Sequence, residues 1–122
     1  MFESSTDAKK KISQMLVKLG EGYIQMGATR ELRENYLRTL ATAWNIACLD
    51  PKLRAKAMRD AVSKFIEANP GKEHEASCYE EDMKKLIQRK LKLFPRSRVQ
   101  VVDVKIFEED DQEKVAVLSL RI

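Results

Sequence analysis

The chain is poor in the residues from which small catalytic and metal centres are built. Its 122 residues hold one histidine, two cysteines, one tryptophan, four glycines and three prolines. A lone histidine cannot complete a usual multi-histidine metal site. Cys48 and Cys78 fit no metal-ligand spacing, no Cys-x-x-Cys pair and no dense secreted framework, so they read as reduced residues of a cytoplasmic protein. Gly20, Gly22, Gly27 and Gly71 stand apart, which leaves no glycine-rich phosphate loop, nucleophile elbow or dinucleotide fingerprint. Apolar runs are short as well, such as Ile46 to Leu49, and none approaches the length of a membrane span. Met1 to Lys11 carries no apolar segment of an export signal. These absences predict a soluble cytoplasmic protein with no cofactor, no metal and no membrane partner.

What is present is charge and rhythm. Charged residues make up 34% of the chain and the net charge is +4, unevenly held. The stretch up to Val99 is basic, whereas the last segment sets Asp103, Glu108, Glu109, Asp110, Asp111 and Glu113 against Lys105, Lys114 and Arg121. A basic excess of this size suits either an acidic or nucleic-acid partner or ordinary solubility. The apolar rhythm changes at Phe94-Pro95. Before it, apolar residues recur every three or four positions; after it, every second one. The chain therefore reads as a single domain over 1–122, mainly α (α+β): four helices followed by a C-terminal antiparallel β-hairpin.

The first helix is expected over about 6–26, capped by Ser5 or Thr6 with Asp7 in its first turn. Its stripe is Ile12, Met15, Leu16, Leu19, Tyr23 and Met26. Gly20 and Gly22 suggest close packing, and Gly27 a left-handed stop. Thr29 can cap a second helix over about 30–48, turning Leu32, Tyr36, Leu37, Leu40, Ala41, Trp44 and Ala47 inward, with Trp44 as a core anchor. Asp50 and Pro51 fit the cap and first position of a third helix over about 51–68, which buries Ala57, Met58, Ala61, Val62 and Phe65. After a polar loop from Asn69 to Ala76, Ser77 and Glu80 match a capping box for a fourth helix over about 78–93. That helix carries Tyr79, Met83, Leu86, Ile87, Leu91 and Phe94 on one side, with Glu80/Lys84 and Glu81/Lys85 as possible ion pairs.

Strands are expected over about 99–107 and 114–122, joined by an acidic turn from Glu109 to Gln112. Val102, Val104 and Ile106 share one face of the first; Ala116, Leu118, Leu120 and Ile122 share one face of the second. Val99, Val101, Val115 and Val117 make the opposite face apolar too. A two-stranded hairpin is marginal alone and has two open edges, so those four valines are candidates for self-association into a homodimer.

Three functional readings follow. The leading one is a small non-enzymatic protein-interaction or regulatory module, homodimeric through the hairpin. A second is nucleic-acid binding through basic helical faces: Lys85, Arg89, Lys92 and Arg96 follow helical spacing and end beside Arg98, while Lys52, Lys56 and Arg59, and Lys9 to Lys11, add smaller clusters. Residues 36–66 do not fit a helix-turn-helix in length or turn. The third is an enzyme whose site shows no linear motif. Cys78, at a helix start with His74 upstream, is its most reactive residue, whereas Cys48 in an apolar helix end should stay protonated. The Glu73-His74-Glu75 triplet and the acidic turn read as solvated rather than as metal ligands.

Overall fold

The computed structural model describes residues 12–120. The expected first cap at Ser5 or Thr6, the Lys9 to Lys11 cluster and Ile122 lie outside them. Four helices are followed by a two-stranded antiparallel hairpin packed against the helices. They are α1 (12–19 of the described residues), α2 (Arg30–Ala47), α3 (Pro51–Ala68), α4 (Ala76–Leu93), β1 (Gln100–Glu109) and β2 (Gln112–Leu120). Short 3-10 turns at Ile24–Met26 and Glu73–Glu75 precede α2 and α4.

Helix α1 ends seven residues earlier than its apolar stripe suggested. Gly20 N–H still bonds the Leu16 carbonyl at 2.9 Å, but Gly22 then takes φ +85°, a left-handed conformation that glycine adopts cheaply. Met26 is consequently 69% exposed. Gly27 is not the left-handed stop; its φ is −75° and its role is close approach, since a Cβ there would lie 2.7 Å from the Arg33 backbone nitrogen. Gly20 packs as tightly, with a Cβ position 2.6 Å from Leu40 Cδ2.

Helix α2 runs through the centre of the domain. Thr29 Oγ1 accepts from Leu32 N–H at 3.1 Å, as its cap position requires. Leu37, Leu40, Ala41, Ala43, Trp44, Ile46 and Ala47 are buried, and Trp44 is fully so. Leu32, expected inside, is exposed, and Tyr36 is half-buried with its ring 5.0 Å from that of Tyr23. The buried stripe begins at Leu37.

Helix α3 lies at the rim. Only Ala61 is buried; Ala57, Met58, Val62 and Phe65 are half-buried, less than their spacing suggested, and Leu53 is exposed. Pro51 takes the first helical position, but the Asp50 carboxylate makes no cap bond. Helix α4 starts at Ala76, so Ser77 lies inside its first turn and the capping box is not formed. Phe65 and Tyr79 stack across α3 and α4 at 4.5 Å. Glu80 and Lys84 pair at 3.0 Å, whereas Glu81 and Lys85 do not meet.

The hairpin closes at Asp110 and Asp111, whose φ values of +53° and +62° follow the type I′ pattern that matches strand twist. Both strands reach two residues nearer the tip than expected. A register shift between Val101 and Asp103 also changes the face assignment. Val101 pairs with Ser119 and Asp103 with Leu118, leaving Val102 as the bulged residue. Val101, Val104 and Ile106 are therefore buried against the helices, with Val99, Val115 and Val117 packed beside them. Val102, Ala116, Leu118 and Leu120, expected inside, face outward. Both faces of these strands carry apolar residues, so alternation alone could not choose between them.

Candidate functional site

The two outer edges of the hairpin are treated differently. In an antiparallel pair, alternate residues turn their N–H and C=O groups away from the partner strand. On β1 five of these groups are met by side chains. Trp44 Nε1–H donates to the Val99 carbonyl at 2.7 Å. Asn45 Nδ2–H donates to the Val101 carbonyl, and Asn45 Oδ1 accepts from Val101 N–H, both at 2.8 Å. Asp103 Oδ1 accepts from Val104 N–H at 2.9 Å, and Glu34 Oε2 from Ile106 N–H at 3.0 Å. Helix α2 supplies four of these five bonds and so covers much of the β1 edge. On β2 the corresponding outward groups belong to Val115 and Val117, partners of Ile106 and Val104, and among the described residues none bonds them.

Beside that open edge lies an apolar outer face. Val102, Leu118 and Leu120 are each more than half exposed, at 52, 53 and 60%. On the inner side, a groove of about 700 Å³ runs between α1 and the start of β2, lined by Val17, Lys18, Glu21, Gln25, Lys114 and Val115 among others.

Charge is sorted along the fold. At the hairpin tip, Arg30 and Arg33 at the start of α2 pair with Glu108 and Glu113. The Arg33 hydrogen bond holds the Glu113 carboxyl below its ordinary range, and the Ile106 N–H bond does the same for Glu34. The sequence-predicted basic residues Lys85, Arg89, Lys92, Arg96 and Arg98 are all exposed, and among the described residues no carboxylate pairs with them. Arg89 instead donates to the Lys18 carbonyl at 3.2 Å, closing the end of α1.

A second site gathers around Lys90, which is 1% exposed. Its ammonium donates to the Ser97 carbonyl at 2.6 Å and lies 4.9 Å from the centre of the Trp44 ring. Cys48 Sγ lies 3.5 Å from the same carbonyl. Arg54 donates to the carbonyls of Leu49 and Ala47 at 3.0 and 3.1 Å, satisfying the last turn of α2. Lys90, Cys48, Ser97 and Arg54, with Asp50 and Arg98, line a cavity of about 260 Å³. Burial pushes the Lys90 ammonium below and the Cys48 thiol above their ordinary pKa values.

No protein family, curated protein or solved structure matches the chain. His74 and Cys78 are both exposed, and both cysteines are free thiols. Among the described residues, no three His, Cys, Asp or Glu side chains stand together as a metal site, and no helix is long and apolar enough to cross a membrane.

Asn45, Glu34 and Lys90 escaped the sequence reading. Lys90 alone left a trace, because it falls one turn after Leu86 on the buried stripe of α4, where a charged residue is out of place.

Proposed function

We propose that the protein is a non-enzymatic interaction module that forms a homodimer through the outer edge of β2. The supporting observation is the asymmetry of the hairpin: α2 occupies the β1 edge with four side-chain contacts, while β2 keeps its edge open beside an apolar face. A second copy is the best-fitting occupant. A two-fold axis at Ala116 pairs Val115 with Val117 of the other copy in hydrogen-bonded positions and Lys114 with Leu118. No like charges then face each other across the junction, and the sheet becomes four-stranded. Of the four valines expected to self-associate, Val115 and Val117 keep that role through their backbones; Val99 and Val101 are occupied by α2.

Light scattering after size exclusion, in low and high salt, tests this reading. The wild-type chain should elute at twice the monomer mass in both. Ala116→Lys/Leu118→Lys, which changes only exposed side chains, should give a monomer with an unchanged circular-dichroism spectrum. A wild-type monomer, or a dimer indifferent to these charges, would overturn it.

One observation favours a second reading. Glu108 and Glu113 of the hairpin are taken up by Arg30 and Arg33, and among the described residues no carboxylate pairs with Lys85 and Lys92 on α4 or with Arg96 in the turn just after it. Nucleic-acid binding through that face should weaken steeply with salt and disappear in Arg89→Glu/Lys92→Glu/Arg96→Glu. Binding that ignores salt, or none at all, removes it.

A further inference from the structure

Lys90 is a cation taken out of water without an anion beside it. A buried charge is normally paired, because transfer of an ammonium from water is expensive and one carbonyl repays only part of it. Of the neighbouring ionisable groups, Cys48 favours the ammonium through its charge and hydrogen bond, whereas Arg54 and Arg98, which approach from α3 and from the segment before β1, disfavour it. Every ion pair among the described residues lies elsewhere.

Among the described residues, the only carboxylate lining the cavity is that of Asp50, which forms no ion pair there and does not cap α3. Against that one carboxylate stand the side chains of Lys90, Arg54 and Arg98, an excess of basic groups that suits a phosphate anion. Size limits the ligand further. The cavity holds about 260 Å³. Drug-sized ligands occupy roughly 300–1,000 Å³, so a phosphate group or a small ester of one fits better than a nucleotide.

We propose that this cavity binds a phosphate group, presented as inorganic phosphate or a small phosphomonoester, with Lys90 at its floor and Arg54 and Arg98 at its rim. Arginine forks and an ammonium are the donors that recognise phosphate oxygens through charge-assisted hydrogen bonds. The site is separate from the β2 edge and stands whether or not the chain dimerises.

Trp44 supplies the readout. It is the only tryptophan, and the Lys90 ammonium sits over its ring. Titration with inorganic phosphate, against chloride at equal ionic strength, should give a saturable change in tryptophan fluorescence. Arg98→Ala, an exposed change that spares the core, should raise the phosphate Kd about tenfold or more, the loss of one charge-assisted hydrogen bond. Lys90→Met should abolish the response, and Lys92→Ala, outside the cavity, should leave it intact. The proposal is overturned if phosphate acts no differently from chloride, or if Lys92→Ala weakens binding as much as Arg98→Ala. It is also overturned if oligothymidylate binds while phosphate and glycerol phosphate do not, since the basic surface rather than the cavity would then be responsible.

Discussion

The side-chain amide of Asn45 and the backbone of Val101 exchange two hydrogen bonds of 2.8 Å, one in each direction. A primary amide presents the same donor and acceptor as a peptide unit, so Asn45 stands where a neighbouring strand would and closes the edge of β1 from a helix. Asn45→Ala would strand both Val101 groups and lower stability by about 1–3 kcal/mol. Asn45→Asp keeps the bond from Val101 N–H but turns an oxygen toward the Val101 carbonyl, so it should destabilise as well, most above the carboxylate pKa. Urea denaturation at neutral and acidic pH separates the two variants.

Lys90 behaves oppositely to most core residues. Its replacement by methionine removes a desolvated charge while keeping the length of the side chain, and buried ions exchanged for apolar groups are often neutral or stabilising by about 1–4 kcal/mol. Lys90→Met should therefore match or exceed the wild-type denaturation midpoint in phosphate-free buffer. Trp44→Ala, one contact away, should lose about 3–5 kcal/mol by leaving a large cavity. A strongly destabilised Lys90→Met would show that the Ser97 bond outweighs the desolvation.

Acid should loosen the hairpin from α2. The Glu34 and Glu113 carboxyls are held below their ordinary range, the first mainly by Ile106 N–H and the second mainly by Arg33. A carboxylate whose pKa is depressed by folding contributes stability that is complete above its unfolded value and is lost as pH falls through the folded value. Stability should thus decline below the ordinary carboxylate range, and Glu113→Gln should flatten that decline. Denaturation midpoints from neutral pH down to acid pH, for wild type and variant, check the sign; parallel curves would contradict it.

Glycine substitutions should separate close packing from backbone conformation. Gly20→Ala places a methyl 2.6 Å from Leu40 Cδ2 and 2.9 Å from Ile24 Cδ1, and should lose about 1–3 kcal/mol by overpacking. At Gly22 there is open space, so Gly22→Ala loses only what its φ of +85° demands, about 1 kcal/mol. Thermal melts of the two variants should rank in that order. The hairpin tip offers the reverse case: Asp111 has φ +62°, and Asp111→Gly should raise stability by a few tenths of a kcal/mol or more, since glycine is preferred there in a type I′ turn.

Much of this architecture was legible because it rests on local signals. Thr29, Pro51 and the change of rhythm after Phe94 mark boundaries through their own backbone preferences, and the structure places them as expected. The errors arose where two local signals competed. Tyr23 and Met26 continue the apolar stripe of α1, yet Gly22 ends the helix before either. Ser77 and Glu80 match a capping box, yet the preceding Glu73–Glu75 turn already leads the chain into α4. In the hairpin, Val102 is a bulge, and a bulge reverses the facing of every residue beyond it without leaving a mark in composition. Neither the Asn45 bonds nor the Lys90 cavity could be anticipated, because each joins segments whose approach depends on the whole fold.

The order in which those segments are made has a consequence for synthesis. Trp44 and Asn45 bond to Val99 and Val101 across separations of 55 and 56 residues, and Arg33 reaches Glu113 across 80. A chain growing from its N-terminus completes α2 long before the strand that covers it exists. Until β1 follows, the largest apolar side chain of the nascent protein and the polar groups intended for that strand stay together in water. This interval is when a ribosome-associated chaperone would find its clearest target, and when a stalled chain would be most prone to aggregate.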